Sequence, residues 1–277
     1  MDEKGFMKGT GDSCNVLIPV EQEHAWLTQP GDREWVSTIE AIGMNGYSPP
    51  AFVIFAGKQI QHSWIDPSID RRTVLQVQQS GWTDRSIALH WLQHFDEYTR
   101  PHTVGIYRLL ILDGHDSHVS LNFVQACEEA KIVPLYLPPH CTHILQPLDV
   151  GVFSPLGKAY KKEVQKHSIF GAEKIINREF LLYFQQARQQ AITKQNIASA
   201  WRKAGLLPYN PLPILQEYRP KTPPFISLTN ENGVRIDIPA NQDQSQKINQ
   251  LVAEVLKGVP NQFHSPIQHL KDIGLTA

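Results

Sequence analysis

Three aspartates hold the positions from which this chain could do chemistry. Asp113 ends the apolar run Tyr107-Arg-Leu-Leu-Ile-Leu112 and opens Asp-Gly-His-Asp-Ser-His118. Asp149 closes His143-Ile-Leu-Gln-Pro-Leu-Asp, with 35 residues between it and Asp113. Asp2 sits in Met-Asp-Glu-Lys-Gly-Phe6. A carboxylate at the C-terminal end of a central strand lies where open α/β sheets place their sites. Two or three converging carboxylates suit Mg²⁺ or Mn²⁺, which take hard oxygen ligands and keep water and substrate phosphate in their shells. The cation also cancels repulsion that would otherwise force one acid to protonate. Two such ions, about 3.5–4 Å apart, can activate an attacking oxygen and stabilise a leaving one in phosphodiester chemistry. Strand-terminal aspartates also serve as caps, so spacing by itself leaves both readings open.

Other ligand sets fit less well. His115, His118, His140, Cys141 and His143 match neither paired Cys/His zinc spacing nor His-Glu-x-x-His. Ser117 and His118 are expected to cap a helix or to orient Asp113, because ligating carboxylates need hydrogen-bonded support. His143 and Gln146 are expected to shape the loop that presents Asp149.

The elements that must position these residues are legible in outline. Trp35–Met44, Asn45-Gly46 and 51–55 read as a hairpin, because Asn-Gly takes the positive φ of a tight turn. Thr73–Val77 reads as a further strand. Thr83-Asp84 caps a helix over Ser86–Tyr98 with Ile87, Trp91, Leu92 and Phe95 on one face. Tyr107–Leu112 reads as a buried central strand. Ser117 then caps a helix to about Ala130 that buries Leu121, Val124 and Cys127, and Ile132–Leu137 is the next strand. That spacing implies a βαβ unit with a parallel pair. From about Val150 the chain turns helical, with helices near 158–166, 172–189 and 193–204. The stretch 208–224 reads as extended. Val16–Val20 is a short apolar run, and 245–257 carries an amphipathic helix pattern.

Composition narrows the class. The 277 residues are 41% hydrophobic, with 26 Lys+Arg and 27 Asp+Glu. Such a length can bury a substantial core. No run of about 18 apolar residues occurs, which excludes a hydropathy-defined span. Cys14, Cys127 and Cys141 are odd in number and widely spaced, which speaks for a reducing compartment. The net charge of −1 hides a division. Residues 1–150 hold 10 Lys+Arg and 18 Asp+Glu, whereas residues 151–220 hold 11 and 4. Lys158, Lys161, Lys162 and Lys166 share one helical face by their i, i+3, i+4 and i+8 spacing. Such a face begins nine residues after Asp149 and suits DNA phosphates, which position a duplex without reading its sequence.

The chain resembles the DDE superfamily endonuclease domain of pogo, Tigger and jerky-like transposases. The matching stretches are Met1–Phe6, Ile39-Glu-Ala-Ile, Pro49-Pro-Ala-Phe-Val-Ile-Phe-Ala-Gly-Lys58 and Gly81-Trp82. More specific are Leu112–His118, Leu137-Pro-Pro-His-Cys-Thr-His-Ile-Leu-Gln-Pro-Leu-Asp149 and Trp201-Arg-Lys-Ala-Gly-Leu-Leu-Pro-Tyr-Asn-Pro211. The resemblance implies an α/β, ribonuclease-H-like mixed sheet flanked by helices over residues 1–211. Residues 212–277 would be a proline-rich linker and partly helical tail. It implies Asp2, Asp113 and Asp149 as the acids that bind two Mg²⁺ or Mn²⁺ ions for cleavage and strand transfer on DNA. A nuclear location, DNA as partner and a homo-oligomer are consistent with it. A ribonuclease H acting on RNA–DNA hybrids fits the fold but not the Leu-Gln-Pro-Leu-Asp context.

Two departures from the family pattern set further expectations. The chain starts one residue before its first aspartate, without the helix-turn-helix modules that precede it in the family. The first strand is therefore expected to be truncated, with Asp2 on a fraying end that lacks preorganisation. A shortened gene model or a degenerate transposon relic would explain it, and a catalytically silent DNA- or protein-binding domain is the alternative function. Lys4 stands where the family more often carries a small polar residue.

Overall fold

The computed structural model describes residues 1–9, 34–115, 117–168, 175–218, 225–229 and 235–239. The Val16–Val20 run, Cys14 and the 245–257 pattern lie outside them. Strands β1 (Asp2–Met7), β2 (Trp35–Glu40), β3 (Phe52–Ala56) and β4 (Val74–Gln78) form one sheet in that order. β1–β2 and β2–β3 are antiparallel, and β3–β4 is parallel. Helix α1 (Arg85–Thr99) leads to β5 (Arg108–Leu112), α2 (Leu121–Glu129) and β6 (Ile132–Tyr136), and β5 and β6 pair in parallel. The main-chain nitrogen of Met1 donates to the Ile111 carbonyl at 2.8 Å, which joins the β5–β6 pair to the open side of β1.

Alternation along β3 explains the layering. Side chains of a strand point to opposite faces in turn, and Phe52 to Phe55 are all fully buried. Phe52 and Ile54 pack with Ile87, Trp91, Leu92 and Phe95 of α1 and with Phe123 and Cys127 of α2. Val53 and Phe55 pack on the other side with Leu156 and Tyr160 of α4 (Phe153–Ser168) and Phe180 and Phe184 of α5 (Asn177–Ala191). Three antiparallel strands, a following strand–helix–strand unit and helices on both faces make this a ribonuclease-H-like mixed α/β fold.

Several local expectations need correction. The hairpin turn holds, with Gly46 at φ +82, but β2 ends at Glu40 rather than Met44. Ser120, not Ser117, caps α2, its Oγ accepting from the Phe123 amide at 3.3 Å. The later start turns Phe123 and Cys127 inward and leaves Leu121 and Val124 exposed. In β5 only alternate residues are buried, and Leu109 is 60% exposed. The stretch read as extended contains a short helix, α7 (Leu212–Glu217).

β1 is also better held than expected. All six residues pair with β2, from Asp2 opposite Glu40 to Met7 opposite Trp35. Met1 is buried, its nitrogen held by Ile111 and its carbonyl accepting from Gln146 Nε2 at 2.7 Å. Such anchoring opposes the fraying of an isolated strand end. By its contacts the chain divides at Gln216/Glu217. In the second unit, β7 (Phe225–Thr229) and β8 (Arg235–Pro239) pair antiparallel.

Candidate active site

Each of the three aspartates is presented by a different device. Asp2 is the first residue of β1 and shares a face with Lys4 and Phe6. Phe6 shows which face that is, since its ring lies 5.2 Å from Tyr160 and 5.3 Å from Phe184. Asp113 is the first residue after β5. Asp149 sits in a π-helical turn, Leu148–Val152, that runs into α4. Single π turns within helices recur at functional sites because they widen the coil and re-aim a side chain. Leu148 and Val152 are buried and pin the turn on either side of Asp149. Gly151 is required here by close approach: a Cβ on it would lie 2.6 Å from Ala200 Cβ, on α6 (Lys194–Lys203).

The carboxylates act on one another. Burial, followed by the charge of Asp149, pushes Asp2 up to about 7, and Asp113 adds to the rise. Asp149 is also raised, first by burial and then by Asp113. Lys4, a side-chain hydrogen bond with Asp2, and His143 all oppose that rise. Converging acids that repel one another need a positive charge among them. Oxygen-rich donors that repel one another in this way fit a hard divalent cation. As the side chains lie, no group of three His, Cys, Asp or Glu among the described residues encloses an ion.

The surrounding residues take distinct places. Gln146, 1% exposed, ties the segment before Asp149 to the main chain beside Asp2. Ser117 Oγ pairs with His115 Nδ1 at 3.0 Å. His118 is buried with Nε2 3.4 Å from Glu3 Oε1, and Tyr136 donates to its carbonyl at 2.8 Å. His118 therefore braces the opposite face of β1 from Asp2. Lys158, Lys161 and Lys162 are exposed on one side of α4. Lys166 is exposed too, but its Nζ holds the buried Glu163 at 2.8 and 3.0 Å.

Two features escaped the sequence reading as parts of the site. Glu40, opposite Asp2 and buried, is held by Arg188 of α5, with Nε to Oε1 at 2.8 Å and Nη2 to Oε2 at 3.0 Å. Lys4 reaches over the ring of Phe153, 5.7 Å from its centroid. The hairpin register would have placed Glu40 beside Asp2, and strand alternation would have placed Lys4. Nothing local in the sequence shows that Arg188 meets Glu40.

Comparison with known proteins identifies the family. Residues 32–201 match the model of the family described as DDE superfamily endonuclease. The chain is 41% identical over 211 residues to a Cochliobolus lunatus protein named MFS-type transporter clz9, covering 76% of this chain and 23% of that protein. It is 26% identical over 133 residues to the human Pogo transposable element with ZNF domain, covering 47% of this chain and 9% of that protein. The chain thus spans less than a quarter of either relative. Among its described residues no helix is long and apolar enough to cross a membrane. Among solved structures, the Mos1 transposase paired-end complex with left transposon end aligns at a TM-score of 0.41 and 12% identity, over 72% of this chain and 53% of that one. A pre-cleavage Mos1 transpososome aligns at 0.40 and 11%, over 72% and 54%. Scores this low add nothing to the strand order already described. The family match, over more than half of the residues, is what decides: the chain belongs to the DDE superfamily endonuclease family.

Proposed function

We propose that this domain is a transposase-derived endonuclease that cleaves DNA phosphodiesters and transfers strands. The observation that supports the reading is that the main chain beside Asp2 is hydrogen-bonded to Ile111, two residues before Asp113, and to Gln146, three residues before Asp149. These three side chains would hold two Mg²⁺ or Mn²⁺ ions. Bound there, such ions supply the acidity that activates water, and then a DNA 3′-hydroxyl, for in-line attack on phosphorus. Gln146 fixes the main chain next to Asp2, and the charge of His143 favours ionised Asp149. Lys158, Lys161 and Lys162 form a phosphate-binding face on the helix that starts at the metal turn. Action on DNA implies a nuclear location.

Asp113→Asn keeps size and removes one charged ligand. It should abolish Mg²⁺-dependent nicking of supercoiled DNA and leave the melting temperature of the metal-free protein nearly unchanged. Equal nicking by this variant would sink the mechanism. A catalytically silent DNA-binding domain is favoured by one observation, the cationic Lys4 on the same face of β1 as Asp2. Absence of Mn²⁺ binding at millimolar concentration in calorimetry would decide for that reading.

A further inference from the structure

The Trp201–Pro211 motif has no role in the metal centre described above, yet it starts beside it. Ala200 of α6 lies against Gly151, two residues beyond Asp149, and Arg202 and Lys203 follow in the last turn of the helix. The chain then leaves α6 through Gly205 at φ +66. The amides of Leu206 and Leu207 donate to the Trp201 carbonyl at 3.2 and 3.3 Å, and the Asn210 amide donates back to the Gly205 carbonyl at 2.9 Å. A Cβ on Gly205 would stand 2.7 Å from the Asn210 carbonyl oxygen, so glycine is what lets the loop close. The closure returns Tyr209 toward the end of α6 that carries Arg202 and Lys203, with its side chain 80% exposed.

Charge points the same way. From Phe180 to Gln216 the chain holds no Asp or Glu. Of its cations there, Arg188 holds Glu40, whereas Lys194, Arg202 and Lys203 are exposed. An open aromatic ring beside two exposed cations is the combination that binds an unpaired nucleotide strand, because cations track the phosphates and the ring face stacks on a base. Inside a duplex both faces of each base are already covered by its neighbours, which leaves the ring nothing to stack on. A pinned loop also gives up little entropy when its ring is covered.

We propose that Arg202, Lys203 and Tyr209 form a subsite for single-stranded DNA next to the metal turn, in which Tyr209 stacks on an unpaired base and the two cations hold the flanking phosphates. This rests on the DNA reading above and adds to it a preference for strand that has left the duplex. The lysines of α4 hold phosphates without regard to pairing, whereas this subsite distinguishes a frayed or cleaved end from intact duplex.

Fluorescence anisotropy in EDTA, with a labelled thymidine strand of about twelve nucleotides and a duplex of equal length, tests this without any metal. Wild type should bind the single strand, and Tyr209→Ala should bind it about tenfold more weakly, the size of one lost stacking contact. Duplex affinity should change less than about twofold, because no base is free to stack. Tyr209→Phe keeps the ring and should match wild type. Arg202→Gln combined with Lys203→Gln should lower the single-strand slope of log K against log salt by about 1.4. A fluorescent aminopurine in the strand should be quenched by wild type and Tyr209→Phe, and not by Tyr209→Ala. A folded Tyr209→Ala with wild-type single-strand affinity overturns the proposal, as does an equal loss on strand and duplex, or a wild type that does not bind the strand. If Tyr209→Ala does not fold, Tyr209→Leu is judged by the same criteria. Loss of self-association by Tyr209→Ala with strand affinity intact assigns the face to a second copy of the chain and overturns the subsite. A nicking wild type whose Tyr209→Ala variant binds the strand unchanged removes the subsite alone. Strand binding that depends on Tyr209, in a protein that never nicks, supports the subsite and removes the endonuclease reading alone.

Discussion

Replacing Arg188 by methionine strips the guanidinium from a carboxylate that has no access to water. Glu40 is 1% exposed and accepts from Arg188 through both oxygens, at 2.8 and 3.0 Å. Arg188 also donates to Ser48 Oγ at 2.9 Å and to the Pro49 carbonyl, so one side chain clamps β2, the hairpin and α5. Removing one partner of a buried ion pair costs about 3–5 kcal/mol, because the remaining charge stays desolvated. In a unit of this size 1 kcal/mol moves the melting temperature by roughly 2–4 °C, so Arg188→Met should melt roughly 6–20 °C lower. Combining Glu40→Gln with Arg188→Met removes both charges and should recover all but about 2 kcal/mol. Urea unfolding of the wild type, both single variants and the double variant measures the coupling, expected to be at least about 2 kcal/mol. Coupling near zero, or an Arg188→Met loss below about 1 kcal/mol, would refute the view that this pair clamps the site.

Gly151→Ala should lose about 1–3 kcal/mol by overpacking against Ala200, and Ala200→Gly should restore part of it; thermal melts of the two single variants and the double variant check this. Asp66 is held down to about 2 by hydrogen bonds from Ser68 and Arg178. A depressed carboxyl stabilises the fold fully above its unfolded value near 3.8, and that contribution is lost as pH falls toward 2. Asp66→Asn should therefore flatten the fall in melting temperature between about pH 4 and pH 2. Replacing Lys158, Lys161 and Lys162 together by glutamine should weaken DNA binding and reduce the slope of log K against log salt by about 2–3, whereas Lys166→Gln, already paired with Glu163, should change it least. Fluorescence anisotropy at several salt concentrations measures both.

Short-range physics made much of the fold readable from the chain. Asn45-Gly46 set the hairpin, because few dipeptides take positive φ so readily. Asp84 capped α1, its side chain accepting from the Ile87 amide at 2.9 Å. The apolar residues of that helix fell on one face because its period is local. The α2 cap was misplaced by three residues because Ser117 and Ser120 are both competent caps, and only packing of Phe123 against α1 and β3 separates them.

The candidate site divides in the same way. Residue types and motif order nominated Asp2, Asp113 and Asp149, since carboxylates after apolar runs are a property of the sequence. The placement of the elements that carry them is not, because it depends on β5 meeting β1 through Met1 and on a π-helical turn that no local pattern announces. The expected fraying of Asp2 failed for the same reason: Ile111 and Gln146, 110 and 145 residues from Met1, supply the hydrogen bonds that hold it. The sequence by itself determined which acids are available and on which strands they lie. Only the tertiary structure decided their surroundings, Glu40 and its partner Arg188 among them, because packing and Coulomb forces act through space and not along the chain.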